Sequence, residues 1–205
     1  MITIVDYGMG NLGSIQNMFK YIGVKSQVES DPDKIKNASK ILLPGVGSFD
    51  TAMTKITENN LLEVLNEKAV NEQIPLLGIC LGMQILTNKS EEGLLKGLGW
   101  IPAKTISFKD KIDKKLKVPH MGWNTVTKNR KSLLTSGFSH FNEVSYYFVH
   151  SYFVRVENEE NSILKTQYGV EFDSAIQNDN IYGVQFHPEK SHKFGMKLFE
   201  NFSKI

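Results

Sequence analysis

One stretch, 74-IPLLGICLGMQIL-86, decides how this chain folds. It begins with an unbroken apolar run after a proline, which is typical of a strand buried inside a parallel sheet. Leu81, Ile85 and Leu86 then recur at helical spacing, so a helix is expected to follow the strand directly. Glycines stand two residues before and two residues after Cys80, where larger side chains would collide as the backbone doubles back. The sequence therefore predicts that Cys80 lies on a sharp strand-to-helix turn.

Such a turn would favour reactivity at Cys80, the single cysteine of the chain. The unpaired N–H groups and the dipole at the start of the helix stabilise a thiolate. The N–H of Leu81 would point to where an acyl oxyanion develops. A lone cysteine in an apolar strand is otherwise a small core residue, and that is the better interpretation of Cys80 taken alone. The turn and its glycines favour a nucleophile, provided that the chain holds a matching histidine.

The segment His187-Pro188-Glu189 provides that histidine. Residues two apart in extended backbone face the same side, so His187 and Glu189 are expected to stand together, with Pro188 stiffening the segment. A carboxylate fixes the tautomer of a neighbouring imidazole, and the imidazolium in turn stabilises a thiolate. The alternative is a strand end at which a histidine and a glutamate meet water. The chemical match with Cys80 favours a catalytic group instead.

The first half of the chain alternates between apolar strands and amphipathic helices, which predicts an α/β fold. Strands are predicted from Ile2 to Tyr7, from Val24 to Val28 and from Ile41 to Leu43, and one helix is predicted to hold Met53 to Leu65. The loop Pro44-Gly45-Val46-Gly47 follows the third strand. Ligands bind at the carboxyl ends of the strands in open α/β sheets, so this loop and the cysteine are expected at one rim.

A second glycine pattern, Gly8-x-Gly10-x-x-Gly13, follows the first strand, with Glu29 at the spacing of a dinucleotide fingerprint. No clear second strand ends in an acidic partner, and the pattern alone is a weak signal. A tight loop at the rim of the sheet is the favoured interpretation, so no cofactor is predicted.

Short strands predominate in the second half. They are predicted from Leu116 to Pro119, from Asn124 to Thr127 and, as one aromatic strand, from Ser145 to Val154. Residues 119–124 are predicted to form a loop with Trp, Met and His beside glycine, which is either a hydrophobic plug or a docking surface. His150 is interpreted as a packed core residue rather than a base.

The composition limits the classes of function. The 205 residues suffice for one core and one domain, and the net charge of +2 implies no strong field for nucleic acid or membranes. One cysteine excludes an intrachain disulfide and a multi-cysteine metal site, and a free thiol fits a reducing compartment. The first residues lack a signal-peptide pattern, and no apolar run is long enough to span a bilayer. A soluble, cytoplasmic protein is expected.

Five motifs together resemble one protein family. The motifs Gly78–Gln84 and Gly183–Lys190 are similar to those of class I (triad) glutamine amidotransferases. Pro44–Gly47, Pro119–Asn124 and Phe148–Tyr152 narrow the resemblance to the glutaminase subunits of imidazole glycerol phosphate synthases. The likeness covers essentially the whole chain. It implies a single amidotransferase domain, residues 1–205, with an open, mainly parallel sheet flanked by helices and a small antiparallel portion in the second half.

The resemblance also implies a thiol mechanism. Cys80 attacks the side-chain amide of glutamine, His187 protonates the leaving ammonia and then activates water against the thioester, and Glu189 orients His187. The oxyanion hole is formed by the N–H of Leu81 and that of Val46 after a peptide flip. The residues implied to hold glutamine are Gly45, Gly47, Gln84, His150, Ser151 and Tyr152. No metal is implied.

A partner is implied as well. In the family, the glutaminase forms a heterodimer with a (β/α)8-barrel cyclase, and ammonia passes through the barrel to a ribulosyl-phosphate intermediate. The products are imidazole glycerol phosphate and an aminoimidazole carboxamide ribotide. Positions that match the subunit interface are Asn11, Trp123, Tyr147 and Lys190.

Three alternatives remain at this point. Close relatives with the same triad donate ammonia to enzymes of surface-sugar biosynthesis, and the motifs separate the two groups poorly. A catalytically silent scaffold is a second alternative, against which the intact Cys80, His187 and Glu189 argue. A cysteine peptidase is a third, although the residues that flank the two motifs fit an amidase better.

Overall fold

The computed structural model describes all 205 residues of the sequence. Strands alternate with helices in the first half of the chain and follow one another in the second half. The strands are β1 (Ile2–Val5), β2 (Ser26–Glu29), β3 (Ile41–Leu43), β4 (Leu76–Ile79), β5 (Lys89–Ser90), β6 (Ala103–Ser107), β7 (His120–Thr125), β8 (Thr127–Lys128), β9 (Ser145–His150), β10 (Tyr152–Val156), β11 (Ser162–Tyr168), β12 (Val170–Asn178) and β13 (Ile181–Val184).

The helices lie mainly between the strands of the first half. They are α1 (Leu12–Tyr21), α2 (Pro32–Ile35), α3 (Phe49–Glu58), α4 (Leu61–Asn66), α5 (Leu81–Ile85) and α6 (His192–Lys204). A π-helical turn, Glu67–Asn71, continues α4. Short 3-10 turns lie at Leu133–Thr135, Phe138–His140, Glu159–Asn161 and Pro188–Lys190. None of the helices combines the length and the apolar character that crossing a membrane requires.

The central sheet contains eleven strands. Nine follow the order β2-β1-β3-β4-β13-β12-β10-β6-β5, while β11 pairs with β12 and β8 pairs with β11. The first five strands of this order pair in parallel. From β13 through β12 and β10 to β6 the pairing is antiparallel. The predicted fold class is therefore confirmed. Four of the five parallel strands come from the first half of the chain, and β13 is the fifth.

Helices cover both faces of the parallel half, which is why its strands are apolar without interruption. All residues of β3 and β4 are buried. Leu42 and Leu77 belong to a cluster of buried residues that also contains side chains of α1 and α6. Ile41 and Leu43 belong to a second cluster, with side chains of α3 and α4. The clusters hold 26 and 25 buried residues, so neither face of the sheet is left uncovered.

A separate two-stranded sheet is formed by β7 and β9. The strands are antiparallel, with His120 opposite His150 and Trp123 opposite Tyr147. The predicted strand from Leu116 to Pro119 and the predicted loop over residues 119–124 are both wrong, because β9 pairs with residues 120–125 instead. The segment before β7 consists of turns and bends with exposed lysines.

Two further elements that were predicted as single are divided. The aromatic strand from Ser145 to Val154 is two strands that part at Ser151, since β9 pairs with β7 while β10 pairs with β6 and β12. The prediction of a single helix over Met53 to Leu65 is also wrong. It is interrupted where Asn60 adopts the left-handed conformation, with φ of 57°, so α3 and α4 can turn separately onto the sheet.

Candidate active site

The turn between β4 and α5 holds Cys80 in an unusual backbone conformation, with φ of 54° and ψ of −109°. Non-glycine residues rarely adopt positive φ, and such strain clusters at functional sites. The two flanking glycines permit it. A Cβ atom on Gly78 would lie 2.5 Å from the carbonyl oxygen of Gly82, and one on Gly82 would collide with the carbonyl oxygen of Leu43. The backbone packing therefore leaves no room for side chains at either position.

Hydrogen bonds hold the turn in place. The N–H of Cys80 donates to the carbonyl oxygen of Val184 on β13 at 2.8 Å. The carbonyl oxygen of Cys80 accepts from the N–H groups of Met83 and Gln84, which begins α5. The side-chain amide of Gln185 lies 3.7 Å from the Cys80 sulfur and donates to it. The sulfur is thus fixed relative to the end of β13.

The segment that follows β13 carries the histidine and the glutamate. Nδ1 of His187 lies 2.7 Å from Oε1 of Glu189, and both side chains are 2 % exposed. A 3-10 turn over Pro188–Lys190 brings them together, rather than the extended backbone that the sequence suggested. The hydroxyl of Ser191 donates to the carbonyl oxygen of His187 at 2.6 Å. The carboxylate accepts from Nδ1, so Nε2 is the atom left for chemistry, and it is buried without a hydrogen-bond partner.

Most of the candidate site residues surround one cavity of about 300 Å³. Its lining comprises Val46, Gly47, Cys80, Leu81, Gln84, Glu92, Val149, His150, Ser151, Tyr152 and His187. Gly45 lies behind this wall. A Cβ atom on Gly45 would approach the hydroxyl of Tyr7 to 2.7 Å and the N–H of Gly82 to 2.8 Å. The structure therefore brings Cys80, His187 and the glycine-rich loop to one rim of the sheet.

The family model for glutamine amidotransferase class-I matches residues 3–205. The chain belongs to this family. A relative from Methanococcus maripaludis, named imidazole glycerol phosphate synthase subunit HisH 2, is 56% identical over 204 residues, which cover 100% of this chain and 99% of the relative. A relative from Bdellovibrio bacteriovorus, named imidazole glycerol phosphate synthase subunit HisH, is 44% identical over 206 residues, with 100% of both chains covered.

Solved structures agree on the architecture of this amidotransferase. A structure titled PurLQS from Thermotoga maritima superposes with a TM-score of 0.74 and 18% identity, covering 99% of this chain and 97% of the other. At that identity the likeness shows the fold alone. The recognised family and the predicted fold class are both confirmed by these comparisons.

The electrostatics of the amidotransferase site centre on His187. Burial lowers the pKa of His187, but the nearby Cys80 sulfur and the hydrogen-bonded Glu189 carboxylate outweigh burial and raise the pKa to about 10. The imidazole is therefore held as a cation between two anionic groups when the thiol is ionised. An imidazolium that faces a thiolate is the resting state that nucleophilic cysteine chemistry requires.

Replacing Cys80 by alanine is expected to lower the pKa of His187 below about 10, because the thiolate supplies two of the raising interactions while burial is unchanged. The pKa of a histidine in the unfolded chain is about 6.5. A histidine with a higher pKa in the folded state contributes its full stabilisation at pH values below about 6.5. This stabilisation is lost as the pH rises through the folded-state pKa. The variant, with the lower folded-state pKa, should therefore lose it at a lower pH than the wild type. NMR titration of the His187 imidazole measures the shift. An unchanged pKa in the variant would show that Cys80 does not face the imidazole.

Two residues of the site were not predicted from any sequence motif. Glu92 lines the cavity, and its Oε2 accepts from the N–H of Phe49 at the start of α3. Burial and the charge of Asp50 raise the pKa of Glu92, against the lowering effect of that hydrogen bond. The hydroxyl of Tyr7 donates to the carbonyl oxygen of Pro44 at 2.6 Å and so anchors the glycine-rich loop. Both lie outside the motifs, and only the folded chain brings them to the rim.

Three of the four residues implied for a subunit interface lie together, and none of the four lines the cavity. Trp123 is 49% exposed and stacks on His192 at 5.6 Å, and it meets the edge of Tyr147 at 6.4 Å. The ammonium of Lys190 lies over the ring of Tyr147. Asn11 caps α1 by accepting from the N–H of Ser14. An exposed aromatic cluster of this kind is typical of protein interfaces.

Proposed function

We propose that this chain hydrolyses glutamine to glutamate and ammonia with Cys80 as nucleophile, His187 as acid and base, and Glu189 as the group that orients His187. The observation that carries the proposal is that Cys80 and His187 line the same cavity, with Glu189 hydrogen-bonded to the far nitrogen of the imidazole. The whole chain, residues 1–205, acts as one amidotransferase domain. The decisive experiment compares glutamine-dependent with ammonia-dependent synthesis in a Cys80→Ser complex.

The reaction proceeds in two halves at the Cys80 sulfur. The thiolate attacks the amide carbon of the glutamine side chain and forms a C–S bond. Nε2–H of His187 gives its proton to the leaving nitrogen, so that ammonia departs and a glutamyl thioester remains. Water then loses a proton to Nε2 and attacks the thioester carbon. The C–S bond breaks, and glutamate and the free thiol are released.

The oxyanion of each tetrahedral intermediate is stabilised by backbone N–H groups. The N–H of Leu81 is available because the first N–H groups of a helix have no partner within it. The N–H of Val46 makes no backbone hydrogen bond, and the residue is 46% exposed. Gly47 follows with φ of 113°, a conformation that favours glycine. The loop is thus free to turn the Val46 peptide toward the sulfur.

The amino-acid end of glutamine is bound on the opposite side of the cavity. The carboxylate of Glu92 is the only acidic group in the cavity wall, and it complements the α-ammonium of an amino acid. Gln84 supports this wall, since its Nε2 donates to the carbonyl oxygen of Tyr152 and to Oε1 of Gln185, both at 3.2 Å. Gly45, Gly47, His150 and Ser151 complete the binding site.

Replacing Glu92 by glutamine is expected to raise the KM for glutamine about tenfold or more, the loss typical of a hydrogen bond to a charged group. The amide oxygen of the variant can still accept from the N–H of Phe49, so the start of α3 is preserved. Steady-state glutaminase kinetics measure the effect, and kcat should change less than KM. Glu91→Gln is the matched control, since Glu91 does not line the cavity. Equal KM values in the two variants would exclude an ammonium site at Glu92.

The ammonia serves imidazole glycerol phosphate synthase in histidine biosynthesis, as the names and the full-length coverage of the relatives support. The companion subunit is a cyclase with a (β/α)8 barrel, which uses ammonia to make imidazole glycerol phosphate and an aminoimidazole carboxamide ribotide. The heterodimer works in the cytoplasm. This chain docks onto the cyclase subunit through Trp123, Tyr147 and Lys190, and Asn11 lies at the same interface.

A further inference from the structure

Four polar groups form a continuous chain of hydrogen bonds from β7 to the wall of the cavity. The side-chain amide nitrogen of Asn124 lies 3.1 Å from Nε2 of His120. Nδ1 of His120 lies 2.9 Å from Nε2 of His150. Nδ1 of His150 lies 2.7 Å from the carbonyl oxygen of Tyr152. We call Asn124, His120, His150 and the Tyr152 carbonyl the histidine relay.

The direction of every bond in the histidine relay is fixed from its far end. A carbonyl oxygen only accepts, so Nδ1 of His150 carries a proton and Nε2 of a neutral His150 accepts. Nδ1 of His120 must then donate, which leaves its Nε2 to accept from the amide of Asn124. That amide is itself oriented, because its nitrogen also donates to the Gln167 carbonyl and its oxygen accepts from the N–H of Thr125.

The surroundings keep both imidazoles neutral and in place. Burial lowers the pKa of His120 to about 4, and burial together with the neighbouring histidines lowers that of His150 to about 3, against the raising effect of the Tyr152 carbonyl. The ring of His120 is stacked between Phe148 at 4.8 Å and Tyr168 at 4.0 Å. A ring sandwiched in this way cannot turn without breaking aromatic packing, so its two nitrogens stay aligned with their partners.

The relay ends on an atom that the glutamine site uses. The carbonyl oxygen of Tyr152 accepts from His150 and also from Nε2 of Gln84, and all three residues line the cavity. Ser151 and Tyr152 span the point where β9 ends and β10 begins in a different sheet. Strand pairing with β6 holds part of this junction, since Tyr152 lies opposite Ser107 and the Ser151 carbonyl accepts from the N–H of Phe108. The two side-chain hydrogen bonds hold the Tyr152 carbonyl itself.

We propose that His120 is a positioning residue for glutamine binding: its Nδ1–H holds Nε2 of His150 in place, so that Nδ1–H of His150 holds the Ser151–Tyr152 backbone against the bound amino acid. The proposal rests on the glutaminase function proposed above. It gives His150 a task beyond core packing. It also gives β7 two roles, since Met121 and Trp123 are exposed while His120 is buried in the relay.

The test measures glutamine binding by the protection of Cys80 rather than by the rate of hydrolysis. Iodoacetamide alkylates Cys80, the single cysteine, and bound glutamine should protect it. The glutamine concentration that gives half protection is compared among wild type, His120→Phe and His120→Asn in the full-length chain. Phenylalanine keeps the aromatic stack but removes the donor, whereas asparagine offers an N–H in the place of Nδ1. Tyr168→Phe is the control, because it keeps the stack and lies outside the relay.

We expect His120→Phe to raise the half-protecting concentration about 2- to 10-fold, the range for loss of one hydrogen bond. His120→Asn should restore it substantially, and Tyr168→Phe should leave it unchanged. Unfolded protein would appear separately, as a fast alkylation phase that glutamine does not slow. A His120→Phe value equal to that of the wild type, or no rescue by asparagine, would overturn the proposal.

A second variant covers the case in which His120→Phe does not fold. Asn124→Leu removes the donor to Nε2 of His120, and Asn124 is only partly buried. Imidazole nitrogen NMR should then show shifted signals for His120 and His150, together with weaker glutamine protection; unchanged signals with unchanged protection would refute the relay. Wild-type protein that glutamine fails to protect would instead refute the proposed glutaminase function, so the two failures are distinguishable.

Discussion

Replacing Cys80 by serine is expected to abolish glutamine-dependent synthesis by the complex while leaving ammonia-dependent synthesis intact. A serine hydroxyl has nearly the same size as the thiol, so the variant can occupy the same turn with φ of 54°. It is not ionised beside His187, however, and it is a much weaker nucleophile. Loss of a triad nucleophile reduces turnover by more than about 10³-fold. Synthesis of imidazole glycerol phosphate is measured with each nitrogen source in parallel.

The ammonia-dependent rate is the internal control of this experiment. Free ammonia bypasses the cavity, so its use by the partner depends on correct assembly but not on the thiol. If both rates fell together, Cys80 would be a structural residue of the turn. If the glutamine-dependent rate persisted, a different group would be the nucleophile and the proposed roles of His187 and Glu189 would fall with it.

Glutamine hydrolysis by the isolated chain is expected to be about 10²- to 10³-fold slower than hydrolysis by the complex with its ligand-bound partner, the factor for one missing oxyanion donor. The structural reason lies in the loop Pro44–Gly47. Tyr7 anchors its first carbonyl, but Val46 and Gly47 donate no backbone hydrogen bonds. We expect the bound partner to favour the arrangement in which the Val46 N–H faces the sulfur. Release of glutamate is measured with and without the partner and its substrate.

The rate at which iodoacetamide alkylates Cys80 is the control measurement, because it reports the reactivity of the thiol. A reactive thiol in the isolated chain, together with slow hydrolysis, would locate the deficiency in the oxyanion hole rather than in the nucleophile. Hydrolysis by the isolated chain at the full rate of the complex would contradict this account, because it would require a complete oxyanion hole without the partner.

Secondary structure was predicted correctly where the conformation of a short segment depends on its own residues. The strand–turn–helix around Cys80 follows from apolar residues and two glycines, and the structure confirms both the strand and the helix. Prediction failed where pairing between distant segments decides the outcome. Residues 120–125 became a strand because β9 lies beside them, and the aromatic run over residues 145–154 was divided because its two halves meet different neighbours.

By itself, the sequence determined the types of reactive group, the turn that holds the sulfur and the family to which the chain belongs. Only the tertiary structure decided that Glu92 and Tyr7 lie at the same rim, and that His120 and His150 meet at 2.9 Å. The reason is physical. A turn is set by steric limits within a few residues, whereas a cavity wall is set by the packing of strands and helices that are far apart along the chain, and no periodic pattern records which of them will meet.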